Sequence, residues 1–129
     1  MRAEELKGHL DAVLLAALEG GPRHGYAVIE SLRQSTDGRL DLPTGTIYPA
    51  LRRLEQAGLI AGTWSVVGGR RRREYQLTPA GVRALSGRRA AWRDFSATVT
   101  AALESAALVN AALENAALED TACPSPNPA

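Results

Sequence analysis

Four consecutive arginines follow the pair Gly68-Gly69 and form the densest group of cations in the chain. The glycine pair favours a tight turn between two β-forming runs, so we predict a hairpin with strands Trp64–Val67 and Arg73–Leu77. Cations at a hairpin tip suit nucleic-acid phosphates, although charge runs are also found on solvated hairpin ends. Alternate strand residues face opposite sides, so about two of the four should contact phosphate. The candidates are Arg70, Arg71, Arg72 and Arg73.

A second group of polar residues lies on an amphipathic segment just before this hairpin. Ile47, Leu51 and Leu54 recur at helical spacing and predict a helix that begins at Thr44 as N-cap and ends at Gly58. The opposite face carries hydroxyl groups and a guanidinium, which bond phosphates or base edges in a DNA groove. The candidates for this recognition surface are Thr44, Thr46, Tyr48 and Arg52.

Both of the larger recognition candidates also have a structural interpretation. Tyr48 could pack beneath the hairpin, and Arg52 could pair with Glu55 or Gln56 on the helix surface. A contact between Arg52 and guanine would be worth about 1–3 kcal/mol of discrimination between bases. The sequence favours DNA contact by Tyr48 because it lies on the first turn of this helix, which is expected to be exposed.

The helix before the recognition helix has its own candidate contact. His24-Gly25-Tyr26 opens it, and free amides at a helix start attract phosphate. His24 and Tyr26 are therefore DNA-contact candidates, with Tyr26 equally suited to the core. His9 and His24 are too few and too far apart in sequence to indicate a metal site.

These candidates require a scaffold of four helices. Apolar spacing predicts a first helix over residues 4–19 and a second from His24 to about Thr36. Thr78-Pro79 is typical of a helix start and predicts a long fourth helix. The fold class is therefore mainly α with a small β-wing: a winged helix-turn-helix followed by a long C-terminal dimerisation helix.

Apolar residues of the fourth helix recur every seven positions, as in a coiled-coil seam. Residues 101–120 also repeat with a period of five; helix is preferred over a β-solenoid because Ala, Leu and Glu favour helix. Trp92 and Phe95 suit an aromatic anchor of a dimer interface. The predicted interface comprises Leu85, Trp92, Phe95, Val99, Ala102, Leu103 and Ala106.

Charge is distributed unevenly along the 129 residues. All fifteen basic residues lie at or before Arg93 with nine acidic ones, and five acidic residues follow. A basic body suggests a polyanionic partner. We predict a winged-helix domain at 1–78, a dimerisation helix at 79–120 and a disordered tail at 121–129.

Several function classes are disfavoured by the residues present. The single cysteine, Cys123, allows no disulfide framework and fits a reducing cytoplasm. Neither a signal peptide nor a run of about 18 apolar residues for a membrane span is evident. We find no catalytic constellation and no phosphate-binding glycine loop, and we therefore expect no enzyme activity, no cofactor and no metal.

Three motifs in this order resemble the PadR family of bacterial winged-helix transcriptional regulators. They are Leu14–Leu18 with Gly21–Tyr26, Pro43–Ile60, and Gly69–Gly81. The single C-terminal helix is similar to the smaller PadR subfamily. The period-five segment is a departure from the family pattern.

The resemblance implies a homodimer that represses transcription, and two-fold symmetry of that dimer predicts an inverted-repeat operator in double-stranded DNA. It also implies that a planar aromatic effector binds between the C-terminal helices, which makes Trp92 and Phe95 candidate ligand contacts. The alternative function is a winged helix used as a protein-interaction module without DNA binding.

Overall fold

The structure, a computed structural model, describes residues 3–6 and 8–122, with backbone alone at residues 3, 4, 106 and 119–122. A short 3-10 helix, Ala3–Leu6, precedes the main elements. In chain order these are α1 (Leu10–Ala17), β1 (Arg23–His24), α2 (Gly25–Ser35), α3 (Thr44–Gln56), β2 (Ile60–Val67), β3 (Arg70–Leu77) and α4 (Pro79–Ala122).

The first predicted helix is divided in the structure. Residues 4–19 were expected to form one helix, but α1 spans only Leu10–Ala17. Gly8 has a φ of 88°, which a right-handed helix does not accommodate, so the chain turns there. Leu14 and Leu15 lie within the regular part of α1, after this turn, and both are completely buried.

The core lies among α1, α2, α3 and the base of the sheet. Its members are apolar residues of α1–α3, Ile60 and Tyr75 from the sheet, and Leu18, Leu40 and Leu42 from the segments that flank the helices. Leu85 in α4 also belongs to it, with only 3% of its surface exposed. The first turns of α4 are therefore part of the same compact unit, which extends to Arg89.

The sheet has three antiparallel strands in the order β1-β3-β2. The two-residue β1 was not predicted; it pairs Arg23 with Tyr75 and His24 with Glu74. The hairpin was predicted correctly, but β2 and β3 are longer than expected and pair from Ile60↔Leu77 to Val67↔Arg70. Both turn glycines have positive φ, 59° at Gly68 and 78° at Gly69, as a two-residue hairpin loop requires.

The recognition helix α3 begins one residue differently from the prediction. Pro43, not Thr44, is the N-cap, and no side chain caps the helix. The carbonyl of Pro43 accepts from the amides of Thr46 and Ile47 at 3.0 and 3.1 Å, so Thr44 is already the first helical residue. The predicted end is confirmed: Gly58 has a φ of 77°, typical of a C′ glycine.

The predicted start of α4 at Thr78-Pro79 is confirmed. The Thr78 hydroxyl accepts from the Gly81 amide at 3.0 Å and donates to the Gly58 carbonyl at 2.6 Å. A Cβ at Gly81 would lie 1.9 Å from the Leu59 carbonyl oxygen, so only glycine allows this close approach. The cap therefore joins the end of α3 to the start of α4.

The far part of α4 is helical, which confirms the interpretation of residues 101–120 and makes the β-solenoid alternative wrong. Thr121 and Ala122 also lie in α4, so the predicted disordered tail does not begin at residue 121; residues 123–129 lie outside the described residues. A second structural unit begins at Ala90.

One helix among the described residues, α4 between Pro79 and Leu118, is long and apolar enough to cross a membrane by length and composition. A single helix of this kind is weak evidence of a span, since helices of soluble proteins can have the same length and composition. The expectation of no membrane association stays a prediction.

Candidate nucleic-acid interface

One line of exposed side chains runs along α3, opposite its buried face. Thr44, Tyr48 and Arg52 are four residues apart, so they lie one above another on the helix, and all three are exposed. Thr46 is half-buried beside this line. Burial of Ile47 and Leu51 on the other side fixes which face the helix presents. The four recognition candidates therefore lie on the first turns of one helix.

Tyr48 packs against the start of α2. A Cβ at Gly25 would lie only 2.4 Å from Tyr48 Cε1, so Gly25 provides the space for this ring. The predicted alternative, packing beneath the wing, stays a prediction; the ring lies near Tyr75 of the wing, where burial first, and then Glu55 and Tyr48, raise the pKa of the Tyr75 phenol. Tyr48 remains 43% exposed, with part of the ring available to a ligand.

Arg52 does not pair with the acid that its helix offers. Glu55 binds Arg73 instead, and among the described residues no carboxylate lies within 4.0 Å of the Arg52 guanidinium. The surface-pairing alternative for Arg52 is thus wrong with respect to Glu55. An exposed guanidinium without an acidic partner retains its full capacity for a phosphate or a guanine edge.

The N-cap residue of α2 already occupies one of the free amides at the start of this helix. His24 is the N-cap, and its Nδ1 accepts from the Ala27 amide at 3.3 Å. Burial and the positive charge of Arg72 lower the pKa of His24, while Glu74 opposes the shift. A neutral imidazole is the form that accepts this hydrogen bond. One amide that was expected to be free for phosphate is therefore occupied.

Tyr26 is not a core residue. It is 56% exposed, so the core alternative is wrong. Its side chain lines an open depression of about 330 Å³. The other lining residues are Arg23, His24, Ala27, Glu30, Ser31 and Gln34.

Sequence reasoning missed Arg23 in this region. It lies in β1 opposite Tyr75, and its Nε is buried without a hydrogen-bond partner among the described residues. The available signal was its position directly before the predicted start of α2. It was overlooked because a two-residue strand leaves no periodic pattern.

The four wing arginines differ in their surroundings. Arg70 and Arg71 are exposed, whereas Arg72 and Arg73 are half-buried. Arg73 forms an ion pair with Glu55 of α3, and this hydrogen bond raises the pKa of Arg73. Because its guanidinium already has a carboxylate partner, we remove Arg73 from the proposed phosphate contacts.

Strand register divides these arginines between two faces, as predicted. Arg73 lies opposite Trp64 and Arg71 opposite Val66, whereas Arg72 and Arg70 lie on the other face. Trp64 is 59% exposed, and the guanidinium carbons of Arg71 and Arg73 lie 4.8 and 5.4 Å from its ring centroid. Both distances are within cation–π range.

The predicted dimer interface divides into buried and exposed parts. Leu85 is buried in the core of its own chain, so we leave it out of the interface. Trp92 and Phe95 are 49% and 56% exposed, with ring centroids 6.0 Å apart. Val99, Ala102 and Leu103 are also exposed, and the side chain of Ala106 lies outside the described residues.

The acidic and sulfur-containing residues form no metal cluster in the part of the chain that the structure describes: no three His, Cys, Asp or Glu side chains come together. Cys123 lies outside that part.

The helix α2, a connecting segment, α3 and a β-hairpin that follows directly define a winged helix-turn-helix, the fold of a class of DNA-binding domains. Residues 14–87 match the model of the transcriptional regulator PadR-like family. The chain belongs to this family, whose members are transcriptional regulators and not enzymes.

Individual relatives agree with this assignment. A PadR family transcriptional regulator from Eggerthella lenta has a TM-score of 0.68 and 35% identity, and the match covers 78% of this chain and 87% of that one. A transcriptional regulator from Clostridium thermocellum has a TM-score of 0.70 and 26% identity over 76% of this chain and 96% of that one. A transcriptional regulator from Mycobacterium tuberculosis is 40% identical over 60% of this chain and 59% of its own length.

Proposed function

We propose that this regulator is a homodimer that binds an inverted-repeat operator in double-stranded DNA and represses transcription. The observation that carries the proposal is the line of Thr44, Tyr48 and Arg52 on α3, exposed and followed directly by a wing that bears exposed Arg70 and Arg71. Such a helix fits the major groove, and the wing fits the flanking backbone. Its place of action is the cytoplasm, where bacterial DNA lies.

The exposed apolar face of α4 supports the proposed dimer. Trp92, Phe95, Val99 and Leu103 recur at spacings of three and four, so they form one stripe. A stripe of this kind is unfavourable in water and is typical of helix pairing. Two-fold symmetry of the dimer would then place two copies of α3 on two half-sites, about one helical turn of DNA apart.

Selection of bound sequences from random DNA tests the main proposal. We expect enrichment of an inverted repeat, and a gel shift at moderate salt should show one dimer on the selected duplex. Recovery of random sequence only would contradict sequence-specific binding. Absence of any shift would favour the alternative of a protein-interaction module, which the exposed arginines of the wing argue against.

The wing has a separate test, since we propose that it contributes affinity more than specificity. Replacing Arg71 and Arg72 by Ala removes two cations and should weaken binding nearly equally on operator and random duplexes. The slope of log K against log salt should become less steep by up to about 0.9 for each phosphate that the wing no longer neutralises. An unchanged slope would exclude both arginines from the interface.

We also propose that a planar aromatic effector binds at Trp92 and Phe95. Both rings are half exposed and tilted by 36° to one another, a geometry that also suits an aromatic anchor between subunits. Titration of aromatic compounds against tryptophan fluorescence, in a Trp64→Phe background, should show saturable quenching and release of operator DNA. Quenching without release would leave an aromatic site that has no regulatory role.

A further inference from the structure

The last turn of α3 is joined to the wing by one carboxylate. Glu55 Oε2 accepts from the backbone amide of Gly62 in β2 at 3.2 Å, and the same oxygen accepts from the Arg73 guanidinium in β3. Both side chains are about 30% exposed. Glu55 therefore contacts both strands of the hairpin from the recognition helix.

Gly62 is the position that makes room for this pair. A Cβ there would lie 2.5 Å from Arg73 Nε and 2.7 Å from Glu55 Oε2, closer than a Cβ carbon approaches a non-bonded nitrogen or oxygen. Any larger residue would displace one member of the pair. The strand thus carries a small residue where the carboxylate and the guanidinium meet.

Trp64 extends this contact toward the tip of the wing. Arg73, held by Glu55, lies over the Trp64 ring, and the exposed Arg71 lies over the same ring. The three side chains share one face of the hairpin, because Trp64 pairs with Arg73 and Val66 with Arg71. A stacked guanidinium samples fewer rotamers than a free one, so less entropy is lost when it binds phosphate.

We propose that Glu55 and Arg73 are positioning residues that fix the wing relative to α3, and that Trp64 holds Arg71 for contact with the DNA backbone. This inference rests on the proposed DNA binding. A fixed wing places the phosphate contact at a set distance from the bases that α3 reads. The Glu55–Arg73 pair therefore increases discrimination between operator and random DNA, although neither residue touches a base.

Glu55→Gln tests the positioning role because it removes the charge and keeps the shape. We expect operator affinity to fall about tenfold because the wing is no longer pre-organised. Affinity for random duplex should stay equal or increase, because a carboxylate is removed and Arg73 is freed. Equal loss on both duplexes would indicate mere destabilisation, and an equal gain would indicate that Glu55 only repels DNA; either result would overturn the proposal.

Glu74→Gln is the matched control. It makes the same charge change as Glu55→Gln, but Glu74 lies in β3 on the face opposite to Arg73, where it accepts from Ser65 Oγ at 3.2 Å. Its ratio of operator to random affinity should equal that of the unmodified protein. A similar loss of discrimination in Glu74→Gln would assign the effect to net charge and contradict the proposal.

Two further measurements remove dependence on one variant. Arg73→Gln should reproduce the loss, and the double variant should lose no more than either single one, since the two residues act as a pair. In Trp64→Leu, which keeps both Glu55 and Arg73 in the chain, Arg71→Ala should cost less operator affinity than it does in the unmodified chain. Additive losses from Glu55→Gln and Arg73→Gln, together with an unchanged cost of Arg71→Ala in Trp64→Leu, would overturn the proposal. Lack of operator preference in the unmodified protein would instead contradict the proposed function.

Discussion

The part of the chain up to Arg89 and the part of α4 beyond it differ in how far their apolar side chains are buried. In the first part, Leu14, Ile47 and Leu51 are completely buried by their own chain. In the second, apolar side chains such as Leu103 and Leu113 are more than 60% exposed. One sequence thus contains a region that closes its own core and a region that leaves its apolar surface open.

The difference is visible along one stripe of α4. Leu85 begins it and is buried in the core, whereas Trp92 and Val99, seven and fourteen residues further along the same face, are exposed. Arg89 is the last residue of the first unit, and both of its terminal nitrogens donate to the Glu19 carboxylate at 3.0 Å. The same seven-residue pattern therefore serves an intramolecular contact first and, as we propose, an intermolecular one afterwards.

The largest effect on operator affinity should come from variants that prevent a second subunit from binding to the exposed stripe of α4. Trp92→Glu with Phe95→Glu places two charges on the stripe, so we expect a monomer whose core still melts cooperatively. Loss of the second half-site should cost about 10²–10⁴-fold in operator affinity. Sedimentation and a gel shift measure the two effects.

Ala97→Glu with Ala101→Glu is the control for that variant, because it adds the same charges to exposed positions on the other side of the same helix. Dimers in the control and monomers in the test variant would support the comparison. Dimers in both would show that the stripe is not the interface.

The buried end of the stripe should respond in stability and not in assembly. Leu85→Ala should lower the free energy of unfolding by about 2–5 kcal/mol, since it removes a fully packed side chain. Denaturant unfolding at several protein concentrations gives this value. A change in subunit affinity with unchanged core stability would mean that Leu85 belongs with Trp92 after all.

Within the closed region, Arg52 should affect specificity alone. Arg52→Ala should reduce the preference for operator over random DNA by about 1–3 kcal/mol and relax selection at one base pair of each half-site. Arg53→Ala, one residue away and near Asp11 at 3.7 Å, is the comparison variant. Equal losses on operator and random DNA would assign Arg52 to the phosphate backbone.

The smallest effect should be the pH dependence at His24. Its pKa is lowered in the folded chain, so the unfolded chain binds the proton more readily. The stabilising contribution is complete above the unfolded pKa and is lost as pH falls from that value through the folded pKa. His24→Asn, which retains a cap acceptor, should flatten this dependence in thermal melts; an unchanged pH profile would contradict the assignment.

Much of the fold was predictable because it depends on local chemistry. The helical spacing of Ile47 and Leu51, the Gly68-Gly69 turn and the Thr78 cap each act over a few residues, and all three predictions are confirmed. The helix over residues 101–120 was predictable for the same reason, since Ala, Leu and Glu favour it intrinsically.

The site was less predictable where partners are distant in sequence. Four adjacent arginines appear equivalent in a sequence, yet Arg73 is bound by Glu55, 18 positions earlier. Arg23 gave no periodic signal, and its place opposite Tyr75 depends on a strand of two residues. In each case the deciding contact is made between elements and not within one.

The sequence by itself determined a mainly helical chain with an arginine-rich hairpin after an amphipathic helix, a glycine turn and an apolar stripe that repeats every seven positions. It could do so because propensity, capping and periodicity are local properties. Only the tertiary structure decided which arginines remain available, where the stripe passes from core to surface, and that one carboxylate of α3 holds both strands of the wing. Those outcomes depend on burial and on charge pairing across elements, which the linear order of residues does not encode in any short window.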